Sequence, residues 1–477
     1  MRDCKILILG AGPTGLGAAY RLNAIGNDDW LLFEAAGGAG GLAGSVVDSC
    51  GFTWDFGGHV VFSHYDYFDR VLDEVLKDKW VEHIREAWIW MRDRFIPYPF
   101  QNNIWRLPAE ELLSCLDGLL DAQLKMKDQV ATVETFYDWI LYNYGQGLCD
   151  VFFHPYNCKV WAYDPTKLGV GWTGERVARV DLHTVLRSLV LQQDQVGWGP
   201  NARFRFPLQG GTGSIWRGLS KMLPAERQHF GNRAVSIDLE ARRVRFDDGS
   251  AVTYETMISS IPLDTLLSMI ADRSDLSAQA ASFVYSSTHV IGLGMEGKTP
   301  EKLSTKCWMY FPEPEIPFYR ATVFSNYSSN NVARPGEQWS LMCEVSESPD
   351  KPVRLETVVA EVEEGAKRAQ LVTGQDKIVS RWHHRLEHGY PTPFLGRDEL
   401  LGTVEPVLRR HGIHSRGRFG AWKYEVSNQD HSFMQGVEAV DNILFNRDEV
   451  TYFTPHIVNS GKKMIEPELP SKYSKSG

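Results

Sequence analysis

An α/β fold is predicted for this chain, with an open parallel-stranded domain interrupted by an inserted helical bundle and by a mostly antiparallel β-sheet. Three observations carry that prediction. Cys4-Lys5-Ile6-Leu7-Ile8-Leu9 reads as a short buried strand, and Gly10-Ala11-Gly12-Pro13-Thr14-Gly15 leads from it into a helical stretch from Leu16 to about Ile25. Apolar residues recur at three- and four-residue spacing over 110–124, 135–144 and 182–191, which is the periodicity of helices. Over 285–295, 319–327, 338–346 and 377–385 the pattern alternates, with one helix near 356–372, as in an antiparallel sheet.

The N-terminal elements are the most specific. A second apolar strand, Trp30-Leu31-Leu32-Phe33, ends on Glu34, nineteen residues past Gly15. Strand, glycine turn, helix, strand and acid in that order make a Rossmann-type dinucleotide site. Gly10 allows the tight turn, Gly12 lets a pyrophosphate approach the backbone, and Gly15 lets the helix pack on the strand. Pro13 and Thr14 open the helix, whose N-terminal N–H groups face phosphate, and Glu34 accepts from a ribose hydroxyl. A second glycine cluster, Gly37-Gly38-Ala39-Gly40-Gly41-Leu42, follows, and then Trp54-Asp55-Phe56-Gly57-Gly58-His59. Such glycines let backbone lie flat against an extended flavin, so FAD is favoured over NAD as the resident cofactor.

Further along, Gly210-Gly211-Thr212-Gly213 opens a helix to about Met222, and short strands follow near 234–239 and 243–247, with Asp247-Asp248-Gly249 as a hairpin turn. Residues 256–262 read as another buried strand. A closing helix, 432–444, is preceded by Asn428-Gln429-Asp430-His431, an order that suits a helix N-terminus returning to the cofactor. The FAD-binding domain is thus expected in three segments, 1–80, 204–282 and 413–477, the last including the C-terminal tail. The β-sheet substrate domain takes 81–105 and 283–412, and a helical substrate or flap domain takes 106–203.

Composition bounds the function. At 477 residues the chain exceeds one hydrophobic core. A net charge of −10 disfavours nucleic acid and acidic membranes, so an anionic ligand must meet local arginines. The seven cysteines are scattered with no C-x-x-C pair, which favours reduced thiols in a cytoplasmic setting. The first strand begins at once, so no signal peptide is expected, and no apolar run approaches the ~18 residues of a membrane span.

Other segments point past redox chemistry. Pro97-Tyr98-Pro99-Phe100-Gln101-Asn102-Asn103 and Phe152-Phe153-His154-Pro155-Tyr156-Asn157 set aromatics beside amides, suited to stacking on a base and bonding its edge; a packed loop is the plain alternative. Arg176 and Arg320, with Tyr327 closing the strand of Arg320 and Tyr310, Tyr390 and Tyr424 near Trp, Pro or Gly elsewhere, make a diphosphate cage if they converge; an arginine at a strand end is otherwise a surface ion pair. On its residues alone His59 reads first as a satisfied core histidine.

The motifs GAGPTGLGAA, FGGHVVFSHYDYFD, PYPFQNNI, PYNCKVWA, GERVA, GPNARFRFP, FYRATVFSNY, HGYPTP and SRGRFGAWKYEVSNQDHSFM, spread from Gly10 to about Asn442, resemble the eukaryotic-type UDP-galactopyranose mutases. That resemblance implies an isomerase that interconverts UDP-galactopyranose and UDP-galactofuranose without net oxidation. In the family, N5 of reduced FAD attacks the galactose anomeric carbon, UDP leaves, an iminium forms, and the sugar opens and recloses. NADPH or NADH is implied as reductant, using the substrate cleft transiently, since no second dinucleotide fingerprint is present.

Carried over by motif, Arg176 and Arg320 neutralise the diphosphate, Tyr310, Tyr327, Tyr390 and Tyr424 donate to it, and His59 lies beside the flavin. Tyr98, Phe100, Gln101, Phe152, Tyr156 and Asn157 hold uridine. Trp161 and Asn201 position the galactose and diphosphate, and Asn428 contacts the sugar side. Gly41, Leu42, Gly57, Gly58, Gly420, Asn428, Gln429 and Ser432 join Gly10, Gly12, Pro13, Thr14, Gly15 and Glu34 around the cofactor. Glycines in 169–174 and 197–199 are expected to hinge flaps. Phe153 stands where the family commonly has methionine. A flavin amine oxidase or dehydrogenase is the competing reading, and it predicts consumption of oxygen or another acceptor.

Overall fold

A computed structural model describes residues 2–128, 133–178, 180–197 and 202–465. Strand β1 (Arg2–Leu9) is apolar through its second half and fully enclosed there. It pairs in parallel with β2 (Trp30–Glu34) on one side and with strand Ala251–Ser259 on the other. Helix α1 (Pro13–Ala24) makes the crossover between β1 and β2. Strand Gln228–Phe230 extends this sheet beyond β2, also in parallel. On the other flank Ala251–Ser259 meets Arg243–Phe246 antiparallel along its first half and Ile413–Ser415 parallel along its last three residues. Three distant stretches of chain therefore build one sheet.

Two glycines seat a second helix on α1. A Cβ at Gly17 would lie 2.3 Å from the Phe433 carbonyl oxygen, and one at Gly436 would lie 2.0 Å from that of Thr14. Only bare backbone allows this approach. The contact sets the start of helix Gln429–Phe445 beside the start of α1. That helix begins at Gln429 rather than at 432, which makes Asn428 its N-cap.

The second sheet runs in the order Ile378–Pro391, Tyr285–Glu296, Gln338–Glu347, Arg320–Val323, Trp308–Tyr310, Ala87–Met91 and Arg94–Pro97. All its neighbours are antiparallel except Trp308–Tyr310 with Ala87–Met91. The strand expected over 319–327 is corrected to Arg320–Val323, followed by a 3₁₀ turn at Phe324–Asn326. The Asn326 amide donates to the Leu303 and Lys306 carbonyls at 2.8 and 3.0 Å, and His83 Nε2 donates to the Tyr327 carbonyl at 2.7 Å. These bonds hold the turn and carry Tyr327 off the strand. The helix expected over 356–372 is shorter, Val358–Arg368, and the strand expected at 377–385 continues to Pro391.

Helices Ala109–Asp128, Phe136–Leu148, His154–Trp161 and Leu182–Leu191 form the insertion, with a π turn at Cys149–Phe153. Their core includes Ile89, Met91 and Ile96 of the second sheet, so sheet and helices share one apolar cluster. Among the described residues, no helix is long and apolar enough to cross a membrane.

Candidate functional site

One cavity of about 940 Å³ is lined both by the residues that follow β1 and by residues of the second sheet. Its dinucleotide part is made of backbone. Gly10 has φ +99°, in the left-handed region, and a Cβ there would lie 2.2 Å from Ser260 Oγ. Gly12 and Gly41 face each other so closely that a Cβ on Gly41 would lie 3.3 Å from Gly12 Cα. Glu34 reaches the cavity wall, where it accepts the Ala11 and Ala36 amides at 2.6 and 2.8 Å. The N-caps Gly12 and Asn428 make no side-chain capping bond, so both α1 and Gln429–Phe445 bring uncapped first-turn N–H groups to the cavity. Two helix N-termini and a glycine cradle suit a pyrophosphate. The residues present fit a dinucleotide.

The other part is made of side chains. Arg320 pairs with Glu344 through two bonds, Nε to Oε1 at 2.9 Å and Nη2 to Oε2 at 2.7 Å. Glu344 Oε1 also accepts the Gly58 amide at 2.8 Å, and Oε2 accepts the Tyr319 hydroxyl at 2.7 Å. Burial works against the Glu344 carboxylate, but Arg320 and these donors prevail and hold its pKa below the ordinary value. One buried carboxylate thus ties an arginine to the Gly57-Gly58-His59 loop.

Arg176 donates to Asn428 Oδ1 and the Glu425 carbonyl, both at 2.9 Å, with its guanidinium 5.3 Å from the Tyr424 ring centre. Arg418 donates to Ser427 Oγ and the Gly389 carbonyl, both at 3.0 Å, and lies 4.9 Å from the Tyr390 ring centre. Among the described residues neither has a carboxylate partner. Burial lowers the Arg418 pKa, since an uncompensated cation is costly inside a protein. Arg85 stacks on Trp308 at 4.4 Å and donates to the Tyr310 hydroxyl at 3.3 Å. Trp308 Nε1, His59 Nδ1 and Arg176 Nε are buried without a hydrogen-bond partner among the described residues. Buried polar atoms are rarely left so, and N–H donors of this kind facing a cavity suit an anionic ligand.

Burial raises the Tyr98 hydroxyl to about 12 and also raises Tyr156 and Tyr424, which keeps all three as O–H donors at neutral pH. His59, half-buried, is lowered to about 4, chiefly by burial, so its ring is neutral.

Of the residues expected from sequence, the cavity wall brings together Gly10, Gly12, Pro13, Thr14, Glu34, Gly41, Leu42, Gly57, Gly58, His59, Tyr98, Arg176, Tyr310, Arg320, Tyr390, Tyr424, Asn428, Gln429 and Ser432. Gly15 and Gly420 lie behind it as packing positions, where a Cβ would meet the Gly10 and Arg416 carbonyl oxygens at 1.8 and 2.3 Å. Phe100, Phe152 and Tyr156 form a continuous stack, with centroids 4.5 and 5.3 Å apart, that meets Tyr310 edge-on at 5.5 Å. Gln101 and Asn157 are buried and donate to the Ala178 and Phe153 carbonyls at 2.6 and 2.7 Å. Trp161 meets Tyr424 and Tyr390 edge-on at 4.8 and 5.8 Å. Tyr327 is not brought to the wall: it is buried in a separate cluster and its hydroxyl donates to the Cys307 carbonyl at 3.4 Å. Asn201 lies outside the described residues. Sequence reading missed Arg418, Arg85 and Glu344. Arg418 stands two residues before Gly420 in a motif already singled out, so the signal was present; Glu344 is visible only once the register sets it opposite Arg320.

The profile of the flavin containing amine oxidoreductases matches residues 13–444. A crystal structure of reduced UDP-galactopyranose mutase superimposes with a TM-score of 0.94 at 47% identity, covering 98% of this chain and 99% of that one. The chain belongs to the UDP-galactopyranose mutases, within the flavin containing amine oxidoreductase family. Putrescine oxidase bound to putrescine matches with a TM-score of 0.61 and 15% identity over 93% of this chain and 99% of that one, a likeness of fold alone. A 40-residue stretch is 52% identical to a Baeyer-Villiger monooxygenase of Pseudomonas aeruginosa, which spans 8% of this chain and 8% of that enzyme.

Proposed function

We propose that the chain is an isomerase that interconverts UDP-galactopyranose and UDP-galactofuranose with no net redox change. The observation that carries this reading is the pair of arginines, Arg176 and Arg418, held without carboxylate partners among the described residues on the same cavity as the dinucleotide cradle. A released UDP has to be kept beside the sugar, and guanidinium groups with tyrosine donors suit a diphosphate. An amine substrate, by contrast, is a cation that these arginines repel. Likeness to the reduced UDP-galactopyranose mutase supports the same reading.

FAD, bound reduced, supplies a covalent nucleophile at N5. The glycine cradle and the two helix N-termini hold its pyrophosphate, and Glu34 its ribose. Arg176, Arg320 and Arg418 neutralise the substrate diphosphate, and Tyr310, Tyr390 and Tyr424 donate to it. Glu344 positions Arg320 against the Gly58 amide, while neutral His59 lies on the flavin side. Tyr98, Phe100, Gln101, Phe152, Tyr156 and Asn157 shape the uridine pocket around their stack, Trp161 backs the tyrosines, and Asn428 serves both ligands. Tyr327 supports the wall from behind. NADPH or NADH would serve as the reductant, and the same cleft would admit it. The free cysteines fit a cytoplasmic setting.

The test is an anaerobic chromatographic assay with UDP-galactofuranose, with the flavin oxidised and again after dithionite reduction. Conversion to UDP-galactopyranose only after reduction is expected. Failure in both states with FAD bound would refute the proposal.

A further inference from the structure

A second group of chemistry-bearing side chains lies on helix His154–Trp161, outside the cavity. His154 and Cys158 are four residues apart and share one face of that helix. Asp164, in the turn beyond it, folds back on to them. His154 Nε2 lies 3.0 Å from Asp164 Oδ2 and 3.7 Å from Cys158 Sγ, and the three ligand atoms lie within 4.8 Å of one another. Zinc bonds of about 2.0–2.3 Å to nitrogen, oxygen and sulfur at tetrahedral angles set ligand atoms about 3.3–3.6 Å apart. The two edges from His154, 3.0 Å to Asp164 and 3.7 Å to Cys158, lie close to that spacing, and the third stays within 4.8 Å.

The surroundings fit as well. Asp164 Oδ1 accepts the Thr166 amide at 2.9 Å and its hydroxyl at 2.6 Å, which fixes the carboxylate with Oδ2 turned to the histidine. Tyr137 meets the His154 ring edge-on at 5.8 Å. The His154 and Asp164 side chains are 37% and 41% exposed, so an ion can enter and a water can take the fourth position.

We propose that His154, Cys158 and Asp164 bind a zinc ion. A nitrogen, sulfur and oxygen set suits this borderline-soft cation, whereas magnesium and calcium take oxygen ligands. As the Zn–S bond forms, the Cys158 thiol releases its proton to solvent, and the metal stays divalent. The bound ion clips the start of the helix to the turn beyond its end. That helix also carries Tyr156 and Asn157, so occupancy stiffens one wall of the proposed uridine pocket.

The experiment uses the full-length flavoprotein, stripped with a chelator and titrated with cobalt(II), then zinc(II). One equivalent of cobalt with the strong ligand-field bands of a tetrahedral site, in the red beyond flavin absorption, is expected, with loss of those bands on adding zinc. Cys158→Ser and His154→Asn are expected to lose the bands and the retained equivalent of zinc after desalting, with flavin content and melting temperature unchanged. Weak octahedral-type cobalt absorption in the unaltered protein, or equal zinc retention by all three proteins, overturns the proposal. The unaltered protein's spectrum decides the matter by itself should a variant fold poorly.

Discussion

At the dinucleotide part of the cavity a ligand meets backbone amides, held in place by Gly10, Gly12, Gly41 and two helix N-termini; at the arginine part it meets side chains from strands, loops and helices hundreds of residues apart. The first kind of site is made by what is missing, a Cβ, and most of it is contiguous in sequence. The second is made by convergence. Arg320 and Glu344 meet because two strands pair in one register, and Arg176 and Arg418 come together because both approach the Tyr424 ring. A backbone site is therefore brittle to added volume, and a side-chain site is sensitive to lost charge.

Substitutions separate the two. The largest effect is expected at Gly15→Val, whose side chain has no room before the Gly10 carbonyl. A loss of more than about 4 kcal/mol, read as apoprotein or absent soluble protein, is expected. Retention of a full complement of flavin would show that the backbone part is more yielding than its distances suggest. Arg320→Ala comes next: it strands the buried Glu344 carboxylate, so a stability loss of about 3–5 kcal/mol accompanies lost turnover. Restoring Arg320→Ala with Glu344→Gln is expected to recover stability in thermal melts but not activity.

Arg418→Ala, which strands no acid, should behave differently. UDP affinity is expected to fall by about 1.5–3 kcal/mol with FAD still bound, measured by calorimetry. An unchanged Kd would remove Arg418 from the anion site. Tyr310→Phe takes one neutral donor from several, and a loss of about 0.5–1.5 kcal/mol in UDP binding is expected. At neutral pH the smallest effect is that of His59, which appears only as the pH falls. His59 is lowered from 6.5 to about 4 when folded, so the unfolded chain binds the extra proton between those values. Stability is then full above pH 6.5 and declines as pH falls towards 4. His59→Gln should flatten that part of the melting-temperature profile, and a parallel profile would assign the acid sensitivity elsewhere.

Legibility in the sequence follows the same division. Strand, turn, helix, strand and acid could be read in the first thirty-four residues because glycine requirements are local. Helix Gln429–Phe445 was placed three residues too late, because Asn428 caps by position rather than by a side-chain bond. Tyr327 was expected in the site because it follows Arg320 on an apolar run. The Asn326 amide, bonding two carbonyls from a distant loop, breaks that run. Glu344 looked like any acid in a strand until its partner was known.

By itself the sequence determined the fold class, the dinucleotide turn and, through its motifs, the family, because each rests on neighbouring residues and on hydrophobic period. Tertiary structure alone decided which cations lack a carboxylate, which tyrosines share a wall with them and which one turns away. Those properties belong to pairs of residues, and pairing far along the chain is set by packing and strand register rather than by local spacing.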